Sequence, residues 1–199
     1  MNRALVAILT VLAGVLVVGS IAVFAHATSG EPPVLVATPT GKAQTPQGEM
    51  NSAKLDLNVY PNNSTQVPGP SEGVNAAYAQ FGWPFYDPST TLQVPAHSLI
   101  TVTIHQYDSG GLIFNPYWSK VHGTVDGTMT VNGQQVSDWD PTHIAHTFTI
   151  HQYPDAGQPY LFVSVPLPDN PGDKVANANP YVKDPQVITF SFMTGDPGQ

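Results

Sequence analysis

The stretch that decides the fold is LITVTIHQY, residues 99–107, in which apolar and polar side chains alternate. Successive side chains of an extended strand point to opposite faces, so this alternation produces one apolar face and one polar face. The same alternation occurs in LDLNVY, residues 55–60, and in HTFTIH, residues 146–151. These three segments predict half-buried strands that contribute to one core.

Further short segments predict additional strands. In TMTVNGQQV, residues 128–136, the dipeptide Asn132-Gly133 lies between two β-prone runs and is typical of a tight hairpin turn. Residues 160–165 and 187–193 are also short, apolar and rich in β-forming side chains. Short strands at this spacing predict an all-β sandwich or barrel.

The composition supports this fold class and excludes several functions. The chain has 199 residues, of which 41% are hydrophobic and only 10% are charged, and its 20 Pro and 17 Gly imply many turns. A net charge of −8 repels phosphate backbones, so we expect no nucleic-acid partner. The chain contains no cysteine, which excludes disulfides, thiolate metal sites and cysteine nucleophiles.

Residues 1–27 are predicted to be a transmembrane anchor or a signal segment. No charged residue occurs from Ala4 to Ala25, and a helix of this length reaches about 33 Å, enough to cross a bilayer. Ala25-His26-Ala27 resembles a signal cleavage site, whereas the length of the apolar run favours an uncleaved anchor through residues 4–25. Arg3 predicts a cytoplasmic N-terminus, so the rest of the chain is expected to be extracytoplasmic in a single-pass cell-membrane protein, or secreted after cleavage.

Two regions are expected after the membrane segment. Residues 28–54 are rich in Pro, Thr, Gly and Gln and follow neither the helical nor the strand period, which predicts a flexible tether. The β domain is then expected to span residues 55–199.

A five-residue repeat, TIHQY, occurs at the end of two predicted strands, at residues 103–107 and 149–153. One interpretation is that both segments are strand ends with similar exposure. The other is that His105 and His151 lie near each other as a metal or proton site. The strand period places His146 and His151 on opposite faces of their common strand.

Two segments resemble the cupredoxins, the blue copper and copper-oxidase-related family. TLQVPAHSLITVTI, residues 91–104, is similar to a strand, the VPAG turn and the following strand of that family, with Ala96-His97 where Ala-Gly is common. HIAHTFTI, residues 143–150, resembles the family's first copper-ligand strand. The resemblance implies a Greek-key β-sandwich in which His146 corresponds to the first copper ligand. It extends to the C-terminus, apart from an insertion-like stretch at residues 110–140.

The sequence departs from the family pattern at its end. Cupredoxins continue into a loop that supplies Cys, a second His and often Met, whereas this chain reaches Pro197-Gly198 and stops at Gln199. We expect either a truncated sequence or a natural chain that lacks the last strands of the sandwich. Because blue copper requires a thiolate, the complete type 1 site is excluded. The expected function is a membrane-anchored cupredoxin-like protein, related to copper electron carriers, with a redox or other protein partner.

The candidate metal ligands are His143, His146 and His151. His143 and His146 are three residues apart and clamp one ion if the preceding loop curls back, and His151 is the candidate third ligand. Imidazole nitrogen suits copper and zinc, so copper is the expected cofactor if one is bound. Other candidates for the third nitrogen are His97, His105 and His122.

Two alternatives belong to other functional classes. One is a histidine-based protein that stores or senses copper or zinc. The other is a metal-free β-sandwich that binds a protein or glycan partner through its aromatic residues, which are Phe81, Trp83, Phe85, Tyr86, Phe114, Tyr117, Trp118 and Trp139. Since no nucleophile motif such as Gly-x-Ser-x-Gly occurs, we expect no enzymatic activity and no catalytic residue.

Overall fold

The computed structural model describes residues 3–28, 34–60, 84–108, 113–151, 161–170 and 185–197. The chain divides into two units, Met1–Pro32 and Pro33–Gln199. The first unit contains one helix, α1, Arg3–Thr28. Its segment Val6–Phe24 has 19 residues, a mean hydropathy of 2.7 and no buried residue, so it is long and apolar enough to cross a membrane. A signal sequence shares these properties, and both predictions for this segment remain open.

The second unit is built from strands and is called the β domain below. Within the described residues, its strands are β1 Val34–Val36, β2 Thr38–Thr45, β3 Gly48–Tyr60, β4 Phe85–Asp87, β5 Thr91–Gln93, β6 Ser98–Gln106, β7 Met129–Val131, β8 Gln134–Val136, β9 Ile144–His151, β10 Phe162–Pro168 and β11 Gln186–Met193. A short 3-10 helix, Pro141–His143, precedes β9. The prediction of a mostly β protein with one N-terminal helix is confirmed.

The strands form one large sheet and two pairs. The large sheet has the order β2-β3-β6-β11-β7-β8, with β4 paired to β3. Its central strand β6 is parallel to β3 and antiparallel to β11. The pairs are antiparallel β9–β10 and parallel β1–β5.

The large sheet and the β9–β10 pair share one hydrophobic core. In β6, Ile100, Val102 and Ile104 are fully buried, which confirms the face predicted from the alternation. On the opposing pair, Phe148 of β9 and Val165 of β10 belong to the same cluster. Burial of these β-branched and aromatic side chains supplies most of the driving force for folding.

The structure corrects the expectation of a flexible tether at residues 28–54. β1, β2 and the first part of β3 lie in this range, so ordered structure begins well before residue 55. β2 and β3 form a long hairpin, and β1 pairs with β5 through Val34 and Thr91. The polar composition misled the prediction because β2 is a largely exposed edge strand, for which polar side chains are normal.

The predicted hairpin at residues 128–136 is confirmed. β7 and β8 are joined by Asn132 at φ 51° and Gly133 at φ 84°, the left-handed conformations that this turn requires. The Asn132 side chain also accepts a hydrogen bond from the backbone N–H of Val187 at 2.8 Å, which attaches the turn to β11. Part of the insertion-like stretch 110–140 is therefore an integral piece of the large sheet.

Candidate functional site

Two pairs, each of one histidine and one aspartate, lie at the same end of the β domain. Asp108 follows the end of β6, His143 and His146 lie at the start of β9, and Asp169 follows the end of β10. β9 and β10 are antiparallel, with His146 opposite Leu167, so the start of one strand lies beside the end of the other. We call these two pairs together the His–Asp cluster.

The first pair in the cluster is His146 and Asp108. Nε2 of His146 lies 2.5 Å from Oδ2 of Asp108. Only 7% of the Asp108 side chain and 21% of the His146 side chain are exposed. A carboxylate accepts hydrogen bonds, so in the neutral ring Nε2 carries the hydrogen and Nδ1 remains as an acceptor or metal ligand.

The second pair is His143 and Asp169. Nδ1 of His143 lies 3.3 Å from Oδ2 of Asp169, whose side chain is only 7% exposed. The backbone N–H of Asp169 also donates to the carbonyl oxygen of His143 at 2.9 Å. The neutral His143 ring therefore presents Nε2 as its available nitrogen, and 56% of its side chain is exposed.

Two buried amides hydrogen-bond the backbone on which Asp108 lies. Nε2 of Gln106 donates to the Asp108 carbonyl at 3.0 Å, and the Asn170 side chain donates to the Gln106 carbonyl at 3.3 Å. Gln106 is fully buried, and its Oε1 has no hydrogen-bond partner among the described residues. An unsatisfied buried acceptor costs about 1–3 kcal/mol, so this atom is suited to a donor that the described residues do not supply, such as a water or a ligand.

The third predicted ligand lies elsewhere. His151 is at the opposite end of β9, opposite Phe162, and its side chain is exposed. Five residues of strand separate it from His146 by about 17 Å, far too long a distance for both to bind one ion. The strand period therefore identified the different environments of the two histidines, but the structure does not bring His151 to the pair.

The remaining candidate histidines are also dispersed. His97 pairs with Asp196 at 3.0 Å, and the His122 ring stacks on Tyr117 at 4.5 Å. His105 lies on β6 in the large sheet, so it and His151 occupy different sheets. Across the described ranges, no group of three or more His, Cys, Asp or Glu side chains is arranged to hold a metal ion.

The carboxylates and amides of the cluster were not among the candidates found from the sequence. Asp108, Asp169 and Asn170 each lie one or two residues after the end of a strand, and polar residues at such positions are the signal that points to a shared sheet end. The sequence does not show that the ends of β6 and β10 are neighbours, so the pairing with histidines becomes visible only in the fold.

The aromatic residues divide into buried and exposed groups. Phe85 is buried, and Tyr86, whose hydroxyl donates to the Thr147 carbonyl at 3.1 Å, packs against the core. Burial raises the pKa of Tyr86 well above its usual value. By contrast, 70% of Phe114 and 49% of Tyr117 are exposed. The candidates Phe81 and Trp83 lie outside the described residues.

No family model, curated protein or solved structure matches this chain. The cupredoxin resemblance therefore depends on the sequence segments alone, and it stays a prediction.

Proposed function

We propose that this protein is a membrane-attached, extracytoplasmic cupredoxin-like protein that binds a divalent copper or zinc ion through His143 and His146. The observation that carries the proposal is that each imidazole is hydrogen-bonded to a buried carboxylate, His146 to Asp108 and His143 to Asp169. Histidines that bind metals commonly have this arrangement, because the carboxylate selects the tautomer, orients the ring and makes the free nitrogen more basic.

The charge and ligand chemistry favour a divalent ion. Two carboxylates lie directly behind the imidazoles, and the chain as a whole carries a net charge of −8. Imidazole nitrogen suits both Cu(II) and zinc, and the Irving–Williams order favours Cu(II) when both are present. With two protein nitrogens, water or substrate would complete the coordination, so we expect weak, exchangeable binding.

The absence of cysteine separates this function from that of a blue copper electron carrier. A type 1 site takes its softness and its potential from a thiolate, and this chain has none. Binding or transfer of the ion, with a protein partner outside the membrane, is therefore the proposed role in place of long-range electron transfer.

Two features support the proposed fold and location. The parallel pairing of β3 with β6, beside antiparallel β11 and opposite the β9–β10 pair, is compatible with a Greek-key sandwich of the cupredoxin type. The apolar helix α1 is compatible with membrane attachment, and Arg3 before it supports a cytoplasmic N-terminus.

The test is a calorimetric titration of the full-length chain, in detergent micelles, with Cu(II) and with Zn(II). Electron paramagnetic resonance of the copper sample counts coordinating nitrogens. His143→Ala and His146→Ala are each expected to weaken binding by at least about tenfold, because each removes one of two protein ligands. His151→Ala is the matched control and should bind as the wild type does. Unchanged affinity in a His143/His146 double variant, or an equal loss in His151→Ala, would contradict the proposal.

The exposed aromatic residues favour a second candidate function, recognition of a protein partner without metal. Tyr117 lies in a turn at residues 116–119, and Phe114 lies just before this turn. The Tyr117 N–H donates to the Asn115 side chain at 2.9 Å, so the rings are presented by an ordered backbone. Rigid exposed aromatics are typical of interaction hot spots. This candidate predicts that a Phe114→Ser/Tyr117→Ser variant loses cross-links to a neighbouring extracytoplasmic protein while its metal titration is unchanged. Cross-links that persist in that variant would argue against it.

A further inference from the structure

A groove of about 300 Å³ lies on the large sheet, away from the His–Asp cluster. It is bordered by Leu99 at the start of β6, by β11, β7 and β8, and by the tip of β2 at Gln44 and Thr45. The cluster, in contrast, follows the far end of β6. The volume is at the small end of the range for ligand sites, so the groove fits a ligand of one or two rings.

The groove contains one negatively charged group that is held in a fixed position. Oδ1 of Asp126 accepts a hydrogen bond from the Thr128 N–H at 3.0 Å, and Oδ2 accepts one from Nε2 of Gln135 at 3.1 Å. The same Gln135 nitrogen also donates to the Thr128 hydroxyl at 2.8 Å, which fixes the amide. Hydrogen bonding lowers the pKa of Asp126, first from the Thr128 side chain and then from backbone N–H groups and Gln135, so the carboxylate is ionised at neutral pH.

Among the described residues, no cation compensates this charge within the groove. The residues that line it include no Lys, Arg or His, and the ion pairs found among the described residues do not involve Asp126. The rest of the lining combines hydroxyl side chains such as Thr189 and Ser191 with apolar groups such as Leu99. The groove therefore offers a fixed anion, several hydroxyl groups and an apolar wall.

We propose that this groove binds a small polyhydroxylated ligand that carries a protonated amine, the chemistry of an amino sugar. The ammonium group complements Asp126, the ligand hydroxyls complement the Thr and Ser side chains, and a C–H face packs on Leu99. This inference is independent of the proposed metal site, because the two sites share no residue.

The test compares glucosamine with glucose, two probes of nearly equal size of which only glucosamine carries the amine. Calorimetric titration of the full-length chain in detergent micelles is expected to give a glucosamine dissociation constant on the order of 1 mM, and glucose binding at least about tenfold weaker. Asp126→Asn should weaken glucosamine binding by about tenfold or more, because a charge-assisted hydrogen bond is replaced by a neutral one. Asp56→Asn is the control, since it removes an equal charge from β3 outside the groove.

Each other outcome overturns the inference. Equal binding of the two probes would show that the amine is not recognised. An equal effect of Asp126→Asn and Asp56→Asn would show attraction by net charge alone. If no heat of binding is detected up to about 50 mM glucosamine, the groove is not a site for this ligand, because the expected dissociation constant is on the order of 1 mM. Failure of these titrations would leave the metal titrations of the His143 and His146 variants unaffected, so the two proposals are tested separately.

Discussion

Replacing Gly123 with alanine is expected to destabilise the β domain much more than the same replacement at Gly127. Both glycines have the left-handed backbone conformation, with φ +72° at Gly123 and φ +70° at Gly127. Placing an L-residue there costs about 1–2 kcal/mol at either position. Gly127 has open space around the position of an added Cβ, so this strain is the whole expected cost.

At Gly123 the added Cβ would clash with backbone atoms of a neighbouring strand, and relieving the clash requires a shift of that strand. It would lie 1.8 Å from the carbonyl oxygen of Phe162 and 3.1 Å from the Cα of Val163, both in β10. Separating the two segments disrupts the neighbouring hydrogen bonds between His122 and Ser164, which are 2.8 Å and 3.0 Å long. Two such bonds contribute about 1–3 kcal/mol together, so the total expected loss for Gly123→Ala is about 2–5 kcal/mol.

The assay is urea unfolding of the full-length chain in detergent micelles, monitored by tryptophan fluorescence. The expected result is a large decrease in the unfolding midpoint for Gly123→Ala and a small one for Gly127→Ala. Equal midpoints for the two variants would refute the close contact between Gly123 and β10. If both variants lose only a little stability, the segment before β7 is also not packed against β10.

Three further predictions test other parts of the β domain. The Tyr86→Phe variant should have a free energy of unfolding about 1 kcal/mol lower than the wild type at pH 7, because it lacks the 3.1 Å hydrogen bond to Thr147. When the pH is raised above about 10, the free energy of unfolding should fall less in this variant than in the wild type. Burial raises the pKa of Tyr86 in the folded protein, so on raising the pH this hydroxyl ionises first in the unfolded chain and the wild type loses stability. Parallel plots of unfolding free energy against pH for the two proteins, from about pH 7 to 11, would contradict this. Phe192→Ala, at a side chain 1% exposed in the core, should cost about 3–5 kcal/mol in the same urea assay, and a loss below about 1 kcal/mol would place Phe192 outside the core. Lys42→Ala removes an exposed ion pair with Glu49 and should change stability by no more than about 1 kcal/mol, so a larger loss would show that the β2–β3 hairpin depends on that pair.

The β-rich character of the protein could be predicted because strand periodicity is a local property. The alternation at residues 99–107 predicted β6 and its buried face, and Asn132-Gly133 predicted the β7–β8 turn. The apolar helix was equally evident from a long uncharged run. Edge strand β2 was missed because its side chains are mostly exposed and carry no apolar period.

By itself, then, the sequence determined three properties of this protein. They are a strand-rich domain, an apolar N-terminal helix and the lack of any cysteine among these 199 residues. Only the tertiary structure decided which polar side chains meet. His146 pairs with Asp108 across 38 positions and His143 pairs with Asp169 across 26, while His151, on the same strand as His146, is carried to the other end of the domain. Strand pairing and register determine such contacts, and these depend on distant segments of the chain that no local pattern specifies.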